Sequence, residues 1–203
     1  MNFRVKVQDA GLQRVLDVVK PHGKAKLTEA GSYSLYVAVV RHLKAYASMH
    51  HDSASRLGAR PTGHIDNAVD SISYETNGDG TASVTIPIPG ISRAFGDLHI
   101  RPKNARALTI PINAVSYGVR APELADRGWS LFTLPARAGQ GAGILFGRRD
   151  GMPSAIALYL LRGYADIPQD RSMLPTDDEM VDAVQEGMMS AISSAMRRYG
   201  ENW

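Results

Sequence analysis

The sequence predicts an α+β fold, an antiparallel sheet packed by two long helices and joined by long loops. Three observations carry this. Two segments, near residues 28–51 and 175–200, repeat apolar residues at helical spacing. Between them lie short runs rich in Val, Ile, Leu and Thr, separated by Gly, Pro and Asn. No strand–helix–strand alternation and no internal repeat is visible, which excludes a parallel doubly wound sheet and a solenoid. The 203 residues are expected to form a single domain, with an N-terminal strand and helices over 1–51, the sheet over 73–161 and a C-terminal helix over 175–200.

Taken in order, Phe3 to Val7 alternates apolar and polar residues as a short strand does. Asp9 can cap a helix to about Val19, with Leu12, Val15, Leu16 and Val19 on one side. Pro21, Gly23 and Lys24-Ala25-Lys26 read as a break. Thr28 is the expected N-cap of the first long helix, which runs to about His51. Tyr36, Val39, Val40, Leu43 and Ala47 trace its apolar face, which Tyr33, Leu35 and Val37 widen. Lys44 and His50-His51 place positive charge toward its carbonyl end.

Residues 52–63 read as a loop and His64 to Ile72 as a short helix. Ser73 to Thr76 and Ala82 to Ile88 are two strands of a hairpin turned by Asn77-Gly78-Asp79-Gly80. Val84, Ile86 and Ile88 share one side of the second strand. Pro87 lacks an N–H for a ladder and puts that strand at an edge or at its end. Leu98 to Arg101, Ala107 to Ile112, Ser130 to Leu134 and Gly143 to Gly147 are further short strands. Tyr117 to Gly128 reads as a loop, punctuated by Gly118, Pro122 and Gly128. Ala155 to Leu161 is the most apolar run and the expected central strand. Thr176 and Glu179 form a capping box at the head of the second long helix, and Asp177, Asp178 and Glu179 complement its dipole. Met180, Val184, Met188, Ile192, Ala195 and Tyr199 make its apolar stripe.

Charge is unevenly placed although the net value is only +3. Residues 1–60 carry ten Lys/Arg against four Asp/Glu, residues 91–149 nine against three, and residues 166–203 three against eight. Opposite patches of this kind suit head-to-tail contact between copies of one chain. Zero cysteines exclude disulfides, thiolate catalysis and cysteine-ligated zinc. No run approaches the roughly 20 apolar residues that span a bilayer, and the first residues lack the apolar centre of a secretion signal. A soluble protein made in the cytoplasm is expected.

Candidate chemistry is sparse. His42 and His50, with His51, Asp52 and His64, lack the tight i, i+4 spacing of a helical metal site. Ser92 lacks the flanking glycines of a nucleophile elbow. Gly139, Gly141, Gly143 and Gly147 lack the Lys-Ser/Thr that completes a phosphate loop. Asp66 and Asp70, four apart on a short helix, are a spaced carboxylate pair on which nothing else converges. Arg93, Arg101, Lys103, Arg106 and Arg120, interleaved with Phe95, His99 and Tyr117, form a basic stretch able to contact phosphates.

The stretch Pro61–Leu161 carries a family pattern. Thr62-Gly63-His64-Ile65-Asp66-Asn67-Ala68 precedes the hairpin, and Ile88-Pro89-Gly90-Ile91-Ser92-Arg93-Ala94-Phe95-Gly96 follows it. Ile100-Arg101-Pro102-Lys103, Ala107-Leu108-Thr109-Ile110-Pro111, Tyr117-Gly118, Leu131-Phe132 and Ala157-Leu158-Tyr159-Leu160-Leu161 complete the order. It resembles bacteriophage virion-morphogenesis and tail-completion proteins, including minor-tail-protein-Z-like families. The resemblance implies a non-enzymatic structural protein of the virion, in the neck or at the head-proximal end of a tail, acting in tail completion or head–tail joining. Its implied partners are copies of itself in a ring, other neck, connector and tail-tube proteins, and DNA passing through the ring, with no membrane. No catalytic, cofactor-binding or metal-binding residue is assigned. Loops 52–63, 89–97 and 136–143 are expected to order against neighbours. A basic nucleic-acid-contacting module is the alternative, and a metal-dependent hydrolase stands third.

Overall fold

A computed structural model describes residues 21–50, 52–77, 80–134 and 143–200. The expected strand Phe3–Val7, the helix Asp9–Val19 and most of the loop 136–143 lie outside the described residues. In chain order the helices are α1 (Pro21–Met49), α2 (Asp52–Arg56), α3 (His64–Val69), α4 (Ala121–Asp126) and α5 (Asp177–Gly200). The strands are β1 (Ser73–Thr76), β2 (Ala82–Thr85), β3 (Leu98–Ile100), β4 (Leu108–Pro111), β5 (Trp129–Leu134), β6 (Ile144–Arg149), β7 (Ile156–Arg162) and β8 (Ala165–Ile167). Every described strand pair is antiparallel, as the α+β reading expects.

The chain divides into two compact units. The first comprises the described parts of Met1–Ser48, His64–Phe95 and Asp170–Trp203, and the second Met49–Gly63 and Gly96–Gln169.

The first unit is built on α1 and α5. Leu27, Leu35, Val39, Leu43 and Tyr46 of α1 recur at helical spacing and are buried with Val184 and Met188 of α5. Val69, Ile72, Val84, Ile86, Ile88, Ile91 and Met173 complete that core. The helices meet through glycines. A methyl group placed on Gly187 would stand 2.7 Å from the Ala30 carbonyl oxygen and the Ser34 Cβ. One placed on Gly31 would stand 2.9 Å from Met188 Cε and 3.1 Å from Val184 Cγ1. Small residues therefore set how closely the two backbones approach. The β1–β2 hairpin pairs Ser73 with Thr85 and Thr76 with Ala82. Tyr74 of β1 meets Tyr33 of α1 edge to face and Tyr36 at a tilt, with ring centres 5.7 and 5.4 Å away.

Three expectations for this unit are corrected. Helix α1 is already formed at Pro21, so Thr28 does not cap it. Proline is tolerated in a first helical turn, where an N–H has no partner to lose. Thr28 instead lies inside the helix, 6% exposed, and its hydroxyl donates to the Lys24 carbonyl at 3.0 Å. The last turn of α1 also carries no basic residue, because the helix stops at Met49. The hairpin forms where expected, but β2 ends at Thr85, short of Pro87. Ile86 and Ile88 remain buried beyond it. The capping box of α5 forms as read: the Glu179 N–H donates to Thr176 Oγ1 at 3.2 Å, and the Thr176 N–H donates to Glu179 Oε2 at 2.8 Å.

In the second unit a four-stranded sheet runs in the order β4-β7-β6-β5, with β7 central as its apolar composition predicts. The short strands β3 and β8 pair separately, and β8 carries no sequence signal of its own. The stretch 117–128, read as a loop, contains α4. Pro122 in its first turn and Gly128, at φ 82°, mark the start and stop of a helix too short to show periodicity. Leu124 of α4, Leu158 and Tyr159 are each at most 1% exposed and form a second core with Trp129, Leu131 and Leu145 around them.

Gly187→Ala tests the helix contact. On an unconstrained helix the change stabilises by up to about 1 kcal/mol. Here the methyl group overlaps backbone and Ser34, so a loss of roughly 1–3 kcal/mol is expected by urea denaturation.

Candidate functional site

The four-stranded sheet has two faces of different character, and its register assigns each side chain to one of them. Trp129 and Leu131 of β5, Leu145 of β6 and Ile156 of β7 pack against the core around Leu124 and Leu158. Gly147 belongs to this face too; a side chain there would strike Leu158, Trp129 and Leu131. Between β6 and β7 the register shifts at Leu145/Phe146, so Leu145 opposes Tyr159 while Phe146 opposes Ala157. Leu158 is the extra residue of a bulge. Its carbonyl accepts both the Ile112 N–H at 2.9 Å and the fully buried Ser116 hydroxyl at 2.6 Å. The bulge lets consecutive residues Leu158 and Tyr159 both enter the core, and the Tyr159 hydroxyl donates to the Val119 carbonyl at 2.7 Å.

The opposite face is apolar as well. Phe132 pairs with Phe146, Leu134 with Ile144, Ile144 with Leu160, and Leu160 with Ile110. Side chains opposite one another in an antiparallel ladder share a face. The Phe132 and Phe146 rings stack 5.9 Å apart at 15°. Ile110, Ile144, Phe146 and Leu160 are half-buried, and Phe132 is 44% and Leu134 53% exposed. Exposed Arg148, opposite Ser130, and exposed Arg162, opposite Leu108, stand on this face toward its two ends along the strands. Among the described residues, then, the sheet has one face closed by its own core and one apolar face partly open to solvent.

A second polar centre lies in the first unit at Asp170. Its Oδ1 accepts the Ser172 hydroxyl at 2.6 Å and the Ser172 N–H at 3.1 Å. Its Oδ2 accepts the Tyr46 hydroxyl at 2.7 Å and stands 3.4 Å from the Arg93 guanidinium. The Asp170 N–H donates to the Arg93 carbonyl at 2.9 Å, and His42 Nε2 pairs with the Ser172 carbonyl at 2.9 Å. Ser172, with Tyr46 and Arg93 behind it, holds the Asp170 carboxyl below its usual range against the cost of partial burial. Burial, then the bond to Asp170 and its charge, push the Tyr46 phenol up to about 12. These groups tie α1 to the two 3₁₀ turns Ile91–Ala94 and Arg171–Met173, and all of them are accounted for by that structural role.

No protein-family model matches the chain, no curated protein matches it, and no solved structure matches its fold.

The basic stretch picked out in the sequence is divided. Arg93 belongs to the Asp170 centre of the first unit, and Arg120 in the second unit bonds Glu123 at 2.6 Å. Arg101 donates from Nε to His99 Nε2 at 2.9 Å, and His99 Nδ1 pairs with Asp166 Oδ1 across β3–β8. Tyr164 stacks on the His99 ring at 5.3 Å. Lys103 and Arg106 are exposed in the β3–β4 connection, Phe95 is exposed, and Tyr117 is half-buried beyond the turn Ala114–Ser116.

Among the described residues no three His, Asp or Glu side chains are grouped to hold a metal ion. His42 serves Ser172, His50 follows the end of α1, and His64 opens α3. Asp66 lies in the first turn of α3 and Asp70 follows its end. Ser92 sits inside the turn Ile91–Ala94, whose Ile91 and Ala94 are buried, so residues 89–97 are not an open loop. Residues 52–63 likewise contain α2. No described helix is long and apolar enough to cross a membrane.

The Tyr46–Asp170 bond carries a pH signature. Because the folded-state phenol is raised, its stabilisation is complete below about pH 10 and is lost as pH rises toward about 12. The depressed Asp170 works in the opposite sense, its share being lost only as acid protonates the folded carboxyl below the usual carboxylate range. Tyr46→Phe should cost roughly 1 kcal/mol at neutral pH. It should also flatten the alkaline fall in Tm relative to the parent protein, read by circular dichroism across that window.

Proposed function

We propose that this chain is a structural subunit of a phage neck or of the head-proximal tail end, acting in tail completion or head–tail joining. It works by assembling copies of itself into a ring against neck, connector and tail-tube proteins, without chemistry of its own. The observation that carries this reading is the apolar face of the four-stranded sheet on which Phe132 and Leu134 are open to solvent. An apolar face rimmed by charge is a surface that assembly can bury. A subunit that buries it against a neighbour gains the burial on assembly, roughly 25 cal/mol for each Å² of apolar surface removed from water. The segment 61–161 that carries the family resemblance spans β4, β5, β6 and nearly all of β7, so motif and surface coincide in the chain.

The rival reading, a basic nucleic-acid-contacting module, is supported less. Of its five cations, Arg93 and Arg120 are paired with carboxylates and Arg101 is bonded to His99. Lys103 and Arg106 remain for phosphates, too few for tight binding at physiological salt.

Removing the gene from the phage genome that carries it, followed by electron microscopy of the lysate, tests the proposal. Filled heads separated from tails mark a joining role, and tails of abnormal length mark termination. Normal infectious particles overturn it.

A further inference from the structure

We infer that the open sheet face receives the C-terminal helix α5 of a second copy of this chain, a head-to-tail contact that rests on the assembly reading above. The first ground is the sheet itself. Phe132, Leu134, Phe146 and Leu160 lie on one face by register, and the first two are about half exposed. Four strands about 4.8 Å apart, and a length of roughly 20 Å between Arg148 and Arg162, give a face of roughly 300 Å². That is well under the roughly 800 Å² per partner of a stable pairwise interface, so the charged rim must take part.

The second ground is charge. The cations at the two ends, Arg148 and Arg162, oppose packing of this face on its own copy, because a two-fold sandwich brings positive rim against positive rim. Helix α5 has the matching character. Asp178, Asp182 and Glu186 recur every four residues on its outer side and are all exposed, a stripe roughly 12 Å long. Met189, 60% exposed, continues that side and supplies an adaptable apolar contact. The inner side of α5, with Val184, Gly187 and Met188, is already spent on α1. The acidic outer side is thus free to meet the arginines of a neighbour while Met189 meets its phenylalanines. Arginine side chains are long enough to lean inward over the difference between the two lengths.

The surfaces on the two partners are different, so each copy offers one of each and the contact repeats. Repetition closes into a ring when the rotation permits, or runs on as a filament when it does not.

Sedimentation velocity over a concentration series, at low and high salt, tests this with two variants. Phe132→Glu removes the sheet surface, and Asp182→Arg with Glu186→Arg removes the helix surface. All changed residues are exposed, and far-UV circular dichroism and thermal melting confirm that each variant folds. The parent protein is expected to self-associate, more weakly as salt rises. Each variant alone should associate at least about tenfold more weakly. Mixing the two should restore association but stop it at pairs, because each partner keeps one working surface. Loss in Phe132→Glu with no effect of the helix variant, and no recovery on mixing, would mean that the face packs on its own copy and overturns the helix contact. Parent association untouched by either variant overturns the surface while leaving assembly standing. A parent protein monomeric at every concentration overturns both the contact and the assembly reading.

Discussion

The close approach of α1 and α5 is the constraint on which the first unit depends. With Gly187 set against Ala30 and Ser34, and Gly31 against Met188 and Val184, neither helix has room to move inward or roll without meeting backbone. That contact places Leu35, Val39 and Leu43 opposite Val184 and Met188, and around them the hairpin residues Val84, Ile86 and Ile88 find their burial. It also dictates which side of α5 is left outside. Asp178, Asp182 and Glu186 face water because Val184, Gly187 and Met188 face α1. One packing decision therefore fixes both the core and the charge of the surface.

The second unit follows a different logic. Its sheet is closed on one side by the short helix α4 and Leu124, and the bulge at Leu158 brings an additional side chain into that core. The bulge carries its own satisfaction, since the Leu158 carbonyl takes both the Ile112 N–H and the Ser116 hydroxyl. A kink so well bonded is a stable feature of the sheet. Among the described residues the other side is apolar and partly open to solvent, where an antiparallel sheet with one solvated face commonly alternates to polar.

The long helices, the hairpin, the central strand and the capping box were legible because each depends on local pattern. Val184 and Met188 at i, i+4, Asn77–Gly80 between two apolar runs, and Thr176 with Glu179 carry their meaning within a few residues. What escaped depends on distant partners. Strand β8 is a strand only because β3 lies beside it, and α4 is a single turn and a half whose Pro122 and Gly128 read equally well as loop punctuation. The early start of α1 was hidden because Pro21 and Gly23 oppose helix in isolation and are overridden in context. At the candidate surface, Leu131-Phe132-Thr133-Leu134 announced a strand, with Phe132 and Leu134 alternating on one side. Which side was already covered could be learned only from the position of α4. The Asp170 centre joins residues 46, 93, 170 and 172, and no spacing in the chain foretells it.

What covers Phe132 decides whether the sheet face is an assembly surface. A photo-crosslinking amino acid in place of Phe132, activated in the assembled protein and mapped by mass spectrometry, reads that directly. Intermolecular cross-links to α5 of a second copy, concentrated near Glu186 and Met189 and absent on dilution, are expected. Cross-links confined to the same chain, or to solvent alone at every concentration, would contradict that contact.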